Sequence, residues 1–108
     1  TGGQKGTKPE RFDLIPVPAL TELARLYGFG ASKYEQVNGR DNWRNGYPFS
    51  LSYAAMQRHL NLFWLGQDRD EESSALHVIN AAWHCLTLAT FLLDPDLREQ
   101  FDDRQEVM

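Results

Sequence analysis

Apolar residues recur along most of this chain at the three- and four-residue spacing of an α-helix, and no segment alternates as a strand would. This period predicts helices over residues 18–27, 50–65 and 70–93, a further short helix over 31–36, and a last one from 95 to about 103. The segments between them are dense in glycine and small polar residues, which is typical of loops. The sequence therefore predicts an all-α fold, a compact bundle of four to five helices.

The predicted boundaries depend on residues that favour helix ends. Gly28 and Gly30 are expected to stop the first helix, because glycine is common just past a helix C-terminus. Ser50 is a candidate N-cap of the second long helix and Asp70 of the third, since short polar side chains accept hydrogen bonds from the first free N–H groups. Asp94, followed by a proline, predicts the start of the last helix.

The length suits one domain over residues 1–108. We expect a glycine-rich, basic, proline-interrupted extended arm over 1–17, a helical core over 18–93, and an acidic C-terminal helix or tail over 94–108. A core of this size is modest, and small helical domains often complete their burial by self-association. The chain is therefore predicted to form a homo-oligomer.

Charge and composition narrow the classes of partner. The formal net charge is −4, so no direct binding to nucleic acid is expected. No run approaches the 18 apolar residues of a membrane span. Cys85, the single cysteine, excludes an intramolecular disulfide, and its place in an apolar helix predicts a buried, inert thiol. These features predict a soluble protein of a reducing cytoplasm.

The most informative chemistry lies where an acidic segment leads into the long apolar helix. Ser73, His77, Asn80 and His84 share one stripe at the helical period. Buried imidazole and amide groups need polar partners, so the stripe indicates a polar cavity. The imidazole of His77 could ligate a metal, act as a general base or bind a phosphate. The alternative is that the stripe only specifies helix packing.

The acidic segment offers oxygen ligands suited to Mg²⁺ or Mn²⁺. Asp70 and Glu72 lie nearest the turn that carries His77, so these three residues form the predicted metal site. The alternative is that carboxylates simply favour a helix N-terminus.

Basic, aromatic and amide side chains supply candidates for holding a nucleotide. Arg58 and His59 lie on the helix expected to run antiparallel to that of His77, and His59 is a candidate general base beside His77. Cations could hold phosphates, and an indole could stack on a base. The alternatives are that the arm is simply solvated, that the indole of Trp43 is anchored in the core, and that Arg58 faces solvent. The candidate nucleotide-binding residues are Lys5, Lys8, Arg11, Lys33, Tyr34, Asn42, Trp43, Arg44 and Arg58.

Several uncommon blocks occur together in this chain. They are Gly3-Gln4-Lys5-Gly6, Arg11-Phe12-Asp13-Leu14-Ile15-Pro16, Phe29-Gly30-Ala31-Ser32-Lys33-Tyr34, Asn42-Trp43-Arg44-Asn45-Gly46, Arg58-His59, and Asp70-Glu71-Glu72-Ser73 with His77. In this order they resemble the phage family named dATP/dGTP diphosphohydrolase, N-terminal domain, over roughly residues 2–93.

The resemblance implies a helical phage protein of the host cytoplasm that hydrolyses a purine deoxynucleoside triphosphate to the monophosphate and pyrophosphate with a divalent metal. The MazG-like all-α pyrophosphohydrolases perform that chemistry with carboxylates on paired helices, and their Glu-x-x-Glu and Glu-x-x-Asp pair is missing here. The chain also carries Gln67 where the family usually has Glu, Ser74 where it has Gly, and Asn80 where it has a second His.

These features give one leading hypothesis and two rivals. The leading one is metal-dependent cleavage between the α and β phosphates, with metal on Asp70, Glu72 and His77. Because a carboxylate and an imidazole are replaced at 67 and 80, the first rival is a protein that binds a nucleotide or a nucleotide-derived signal without turnover. The second rival is an interaction domain whose polar stripe specifies packing.

Overall fold

A computed structural model describes residues 2–34, 39 and 41–105, except the side chain of Tyr34. Within this part of the chain there are four α-helices and two short 3₁₀ turns, and no strand, so the predicted all-α fold is confirmed. The turns cover Phe12–Leu14 and Asn42–Asn45. The helices are α1 (Val17–Tyr34), α2 (Phe49–Trp64), α3 (His77–Leu93) and α4 (Pro95–Phe101).

The helices α2 and α3 form an antiparallel pair, as expected from their short connection. Phe49 at the start of α2 stacks on Phe91 near the end of α3, with ring centroids 6.0 Å apart. His59, further along α2, meets His77 at the start of α3. The helices α1 and α4 each pack against α3, which is therefore the central element of the fold.

Buried apolar side chains form two small groups along α3. At one end Leu26 of α1 packs with Ala75 and Ile79, and Trp83 covers this group. At the other end Phe91 is fully buried among aromatic rings. Buried polar residues lie beside and between these groups, namely Ser52, His59, His77, Asn80 and Thr87.

The first helix does not stop at Gly28 and Gly30, and that prediction was wrong. Helix α1 continues to Tyr34, so the separate helix expected over 31–36 is also wrong as far as residue 34; residues 35 and 36 lie outside the described part. A helical glycine costs only about 1 kcal/mol, which tertiary contacts can outweigh. Here Lys33, beyond both glycines, pairs with Glu72 of the loop before α3.

The third long helix begins at His77, not at Asp70, and the predicted Asp70 cap was wrong. The Asp70 carboxylate instead accepts hydrogen bonds from the N–H and the hydroxyl of Ser73, 2.9 and 3.0 Å away, which folds 70–73 into a turn. The His77 N–H donates to the Asp68 carbonyl at 2.8 Å and closes the loop. Ser73 therefore lies in the loop, while Asn80 and the histidines of the stripe lie on α3.

The remaining caps give one correction and one confirmation. Ser50 does not cap α2 but lies in its first turn, where its N–H and hydroxyl both donate to the Asp103 carboxylate. A distant carboxylate thus satisfies a free N–H at this helix start. Asp94 caps α4 as predicted, accepting from the N–H groups of Asp96 and Leu97.

The two ends of the chain differ in how they contact the helices. Residues 2–16 are exposed and, apart from the first 3₁₀ turn, without regular structure. At the other end, α4 packs on Gly46, whose φ of +88° and contact with Phe101 leave no space for a side chain. Cys85 is exposed, so the predicted buried thiol was wrong. None of the described helices is long and apolar enough to cross a membrane.

Candidate functional site

Two histidines and one aspartate converge between the helices α2 and α3. Each of His59, Asp70 and His77 offers one ligand atom, and these atoms all lie within 4.8 Å of one another. His59 is 4% exposed and His77 is fully buried, whereas Asp70 is partly accessible from the loop. We call this group the His–Asp cluster.

The hydrogen bonds of the His–Asp cluster have a fixed direction. Arg58 can only donate, so its contact with His59 Nε2 at 3.3 Å makes that nitrogen an acceptor. The proton of His59 is then on Nδ1, which donates to His77 Nδ1 at 2.9 Å. His77 in turn donates from Nε2 to the Gln67 amide oxygen at 2.6 Å. Each ring carries one proton in this arrangement, and a metal ion bound to either imidazole would replace one of these hydrogen bonds.

Charge and burial also favour the ligand forms of the cluster. Burial and the neighbouring Arg58 lower the pKa of His59 from its usual value, so the ring stays neutral near pH 7. Burial acts to raise the pKa of Asp70, but the two hydrogen bonds from Ser73 and the nearby histidines outweigh it and leave that pKa below the usual value. Asp70 is therefore ionised over the same pH range.

The donor set indicates which metals fit. Mg²⁺ prefers oxygen ligands throughout, whereas Mn²⁺ and later first-row metals also accept imidazole. Two imidazoles and one carboxylate therefore fit a divalent transition metal better than Mg²⁺. Glu72, predicted as a third ligand, lies outside the cluster and pairs with Lys33 on the surface of the loop.

A polar cavity of about 150 Å³ opens beside the His–Asp cluster. His59 and Asp70 line it on one side, and His77 lies behind them without reaching it. Lys33 and Arg58 bring positive charge to the same space, and Glu72, paired with Lys33, also lines it. The cavity thus combines candidate metal ligands with cations, which is the combination that a bound polyphosphate requires.

An aromatic cavity of about 420 Å³ adjoins the polar one. Gly30 and Trp83 line both cavities, so these two residues form the boundary between the two spaces. Tyr27, Trp43 and Trp83 pack with ring centroids 5.8 to 6.1 Å apart and form one wall. The volume falls within the roughly 300–1,000 Å³ typical of small-molecule sites.

A buried hydroxyl chain ends at the aromatic cavity. The Tyr47 hydroxyl lies 2.6 Å from Ser52 Oγ, which lies 2.9 Å from His84 Nδ1. His84 lines the cavity and packs edge-to-face against Trp83. Burial, with the nearby His59 and Arg58, lowers the imidazole pKa of His84 from 6.5 to about 4. His84 is therefore neutral near pH 7.

This shift predicts a loss of stability in mild acid. The unfolded chain binds a proton on His84 below pH 6.5 and the folded chain only near pH 4, so the free energy of unfolding falls as the pH drops through that window. The full shift would lower the free energy of unfolding by about 2 kcal/mol between pH 7 and pH 5. Partial access of the ring to water reduces this loss to about 1 kcal/mol. Urea unfolding of the wild type and His84→Gln at both pH values measures it, and an equal pH dependence in the two proteins would contradict the assignment.

The structure brings together only some of the predicted site residues. Asn42 and Trp43 line the aromatic cavity, while Arg44 lies over the Trp43 ring, 4.6 Å from its centroid, and lines neither cavity. Lys5, Lys8 and Arg11 of the arm are exposed and also line neither, and Arg11 pairs with Asp13. The side chain of Tyr34 lies outside the described part of the chain.

Sequence reasoning missed the other aromatic rings of the cavity and the residues that orient the histidines. Tyr27 and Trp83 sit at apolar helical positions, where a ring facing a cavity has the same pattern as a ring in a core. Gln67 was noted only as a departure from the family pattern and Ser52 was not noted. Their roles appear only through the contacts with His77 and His84.

Comparison with known proteins adds one finding to this geometry. The family model described as dATP/dGTP diphosphohydrolase, N-terminal, matches residues 1–104. No curated protein and no solved structure gives a significant match. The matched range includes all four helices and both cavities, and it extends past residue 93, where the resemblance seen in the sequence ends.

Proposed function

Because this chain belongs to the dATP/dGTP diphosphohydrolase, N-terminal, family, we propose that it hydrolyses a purine deoxynucleoside triphosphate to the monophosphate and pyrophosphate. The observation that carries the proposal is the shared boundary of the two cavities at Gly30 and Trp83. A flat base suits the aromatic cavity, and the triphosphate then extends toward the cations and the His–Asp cluster.

His59, Asp70 and His77 are the residues that would hold the metal. A bound divalent ion would neutralise phosphoryl oxygens and promote attack of water on the α-phosphorus, with pyrophosphate as the leaving group. We assign His59 to the metal rather than to its predicted role as general base, because its ligand atom lies within 4.8 Å of those of Asp70 and His77. The fully buried His77 likewise acts as a ligand and not in direct proton transfer.

The cations of the polar cavity would hold the phosphates. Arg58 reaches His59 Nε2 with one nitrogen of its guanidinium group and keeps other donors for a phosphate oxygen. Lys33 pairs with the exposed Glu72, an ion pair that costs little to exchange for a phosphate. Lys5, Lys8 and Arg11 stay candidates for phosphate contacts from the exposed arm, and Glu72 stays a candidate ligand from the loop.

One observation favours binding without hydrolysis as the second candidate. Gln67 and Asn80 are neutral amides whose contacts serve the protein itself, Gln67 to His77 and Asn80 to the Leu76 carbonyl at 3.2 Å. The resemblance leads one to expect a carboxylate and an imidazole at these two positions. A weaker metal site would leave a nucleotide-sequestering protein.

The test is incubation of the purified protein with dGTP or dATP and Mn²⁺ or Mg²⁺, followed by separation of the nucleotides. We expect the monophosphate and pyrophosphate in equal amounts, faster with Mn²⁺ than with Mg²⁺ because of the imidazole ligands. Heat-denatured protein and the pyrimidine nucleotide dCTP are the controls. Release of orthophosphate would contradict the proposed cleavage position, and tight binding of intact dGTP would favour the second candidate.

Three further expectations stay predictions. They are the homo-oligomeric state, the cytoplasmic location and the lack of nucleic-acid binding. Exposed large apolar side chains such as Trp64, Leu65 and Leu93, each more than 80% exposed, favour self-association.

A further inference from the structure

His84 lines the aromatic cavity and has one ring nitrogen without a hydrogen bond to the described residues. Its Nδ1 forms a hydrogen bond with Ser52 Oγ. Its Nε2 forms no hydrogen bond within the described residues, so Nε2 is the nitrogen left for a ligand. The other side chains lining this cavity that can form hydrogen bonds are Asn42, the hydroxyls of Tyr27 and Tyr47, and the indole N–H groups of Trp43 and Trp83. His84 is therefore placed to contact an edge of a ring bound in the cavity.

The partner of His84 allows two opposite hydrogen-bond directions. Ser52 is fully buried, and its hydroxyl lies between the Tyr47 hydroxyl and His84 Nδ1. If Ser52 donates to Nδ1, the proton of the neutral imidazole is on Nε2, which is then a donor. If Nδ1 donates to Ser52 and Ser52 to the Tyr47 oxygen, Nε2 is an acceptor. In the first state Tyr47 donates to Ser52. Rotation of the Ser52 and Tyr47 hydroxyls, with the ring proton moved from Nε2 to Nδ1, therefore exchanges the two states.

Guanine and adenine differ at C6, the position whose substituent such a nitrogen would contact. Guanine carries an acceptor oxygen at C6, whereas adenine carries a donor amino group there. A fixed donor or a fixed acceptor in the cavity would reject one of the two, since a buried polar group would stay unpaired. A neutral imidazole with a reversible partner satisfies both.

We propose that His84 is the specificity-determining residue that lets this site accept both 6-oxo and 6-amino purines, through Nε2 and the reversible hydroxyl of Ser52. This inference rests on the proposed function, because it places the base in the aromatic cavity. It accounts for one site that serves two purines whose edges at C6 have opposite hydrogen-bonding character.

The binding test uses α,β-methylene analogues, which resist cleavage between the α and β phosphates. The three probes are the analogues of dGTP, of dATP and of purine deoxyriboside triphosphate, which has only hydrogen at C6. For the wild type, calorimetry should give similar affinities for the first two. The third should bind about tenfold more weakly than the dATP analogue, from which it differs only by the C6 amino group, the effect of one lost hydrogen bond. In His84→Phe this tenfold preference should disappear, while binding of the unsubstituted purine stays as in the wild type.

A measurement on the wild type alone covers the case in which His84→Phe fails to fold. With ¹⁵N-labelled histidine, NMR distinguishes protonated from unprotonated ring nitrogens. We expect His84 to carry its proton on Nε2 in the complex with the dGTP analogue and on Nδ1 in the complex with the dATP analogue.

The outcomes separate this inference from the proposed function. The same His84 tautomer in both complexes, or a tenfold preference retained in His84→Phe, would overturn the role of His84 and leave the proposed function standing. Absence of binding by all three analogues to the wild type would overturn the proposed function and this inference together.

Discussion

Replacing Asp70 with Asn should lower Mn²⁺-dependent hydrolysis of dGTP by about 100-fold or more, because it removes the single carboxylate of the His–Asp cluster. The fold should survive. An Asn side chain keeps an oxygen where Asp70 accepts from the N–H and hydroxyl of Ser73, so the turn over 70–73 remains closed. The readouts are pyrophosphate release and Mn²⁺ affinity by calorimetry.

Glu71→Gln is the matched control, since it makes the same change of charge one residue away. Glu71 is exposed and lies outside the His–Asp cluster and both cavities. We expect its activity and Mn²⁺ affinity to stay within about twofold of the wild type, as screening limits the effect of an exposed charge. If Asp70→Asn and Glu71→Gln behave alike, the metal is not held by Asp70.

His59→Ala separates a metal ligand from a residue that only packs. Removal of this ring leaves His77 Nδ1 without its partner and opens the polar cavity toward the fully buried His77. A loss of Mn²⁺ affinity with a cooperative unfolding transition retained would support ligation. A loss of the folded state alone would support the rival in which the polar stripe specifies helix packing.

The spacing of apolar residues was sufficient to predict the helices but not the residues at which they end. The apolar spacing gave the existence and order of all four helices because the apolar stripe that a helix buries is visible in its local sequence. Helix α1 instead continues past both glycines to Lys33, which contacts Glu72, 39 residues away. The cap of α2 depends on Asp103, 53 residues from Ser50. Such partners cannot be assigned from a single sequence.

The candidate site likewise has one part that is visible in the local sequence and another that forms only through tertiary packing. Asp70 and His77 lie seven positions apart, so an acidic turn before a histidine-bearing helix was readable as a metal site. The third member, His59, joins them only because α2 and α3 run antiparallel with a particular register. The aromatic cavity needed the packing of Tyr27, Trp43 and Trp83 from three separate elements. Sequence alone could not distinguish an indole in a core from an indole on a cavity wall.

Phe91→Ala is expected to have the largest effect on stability. Phe91 is fully buried, and its ring contacts those of Phe49, Tyr47 and Trp43 at centroid distances of 6.0, 5.2 and 6.4 Å. Removing a buried Phe side chain costs about 3–5 kcal/mol, a large share of the roughly 5–15 kcal/mol that stabilises a typical domain. We expect the midpoint of thermal unfolding to fall by more than about 10 °C.

Leu93→Ala is the matched control, two residues further along α3 with its side chain 85% exposed. Its free energy of unfolding should stay within about 0.5 kcal/mol of the wild type. Trp43 and Tyr47 line the aromatic cavity on one side and contact Phe91 on the other, so Phe91→Ala should also weaken binding of the dGTP analogue in whatever fraction stays folded. A Phe91→Ala protein with wild-type stability would show that these rings do not form a core. Wild-type stability with weakened binding of the analogue would instead assign Phe91 to the shape of the cavity.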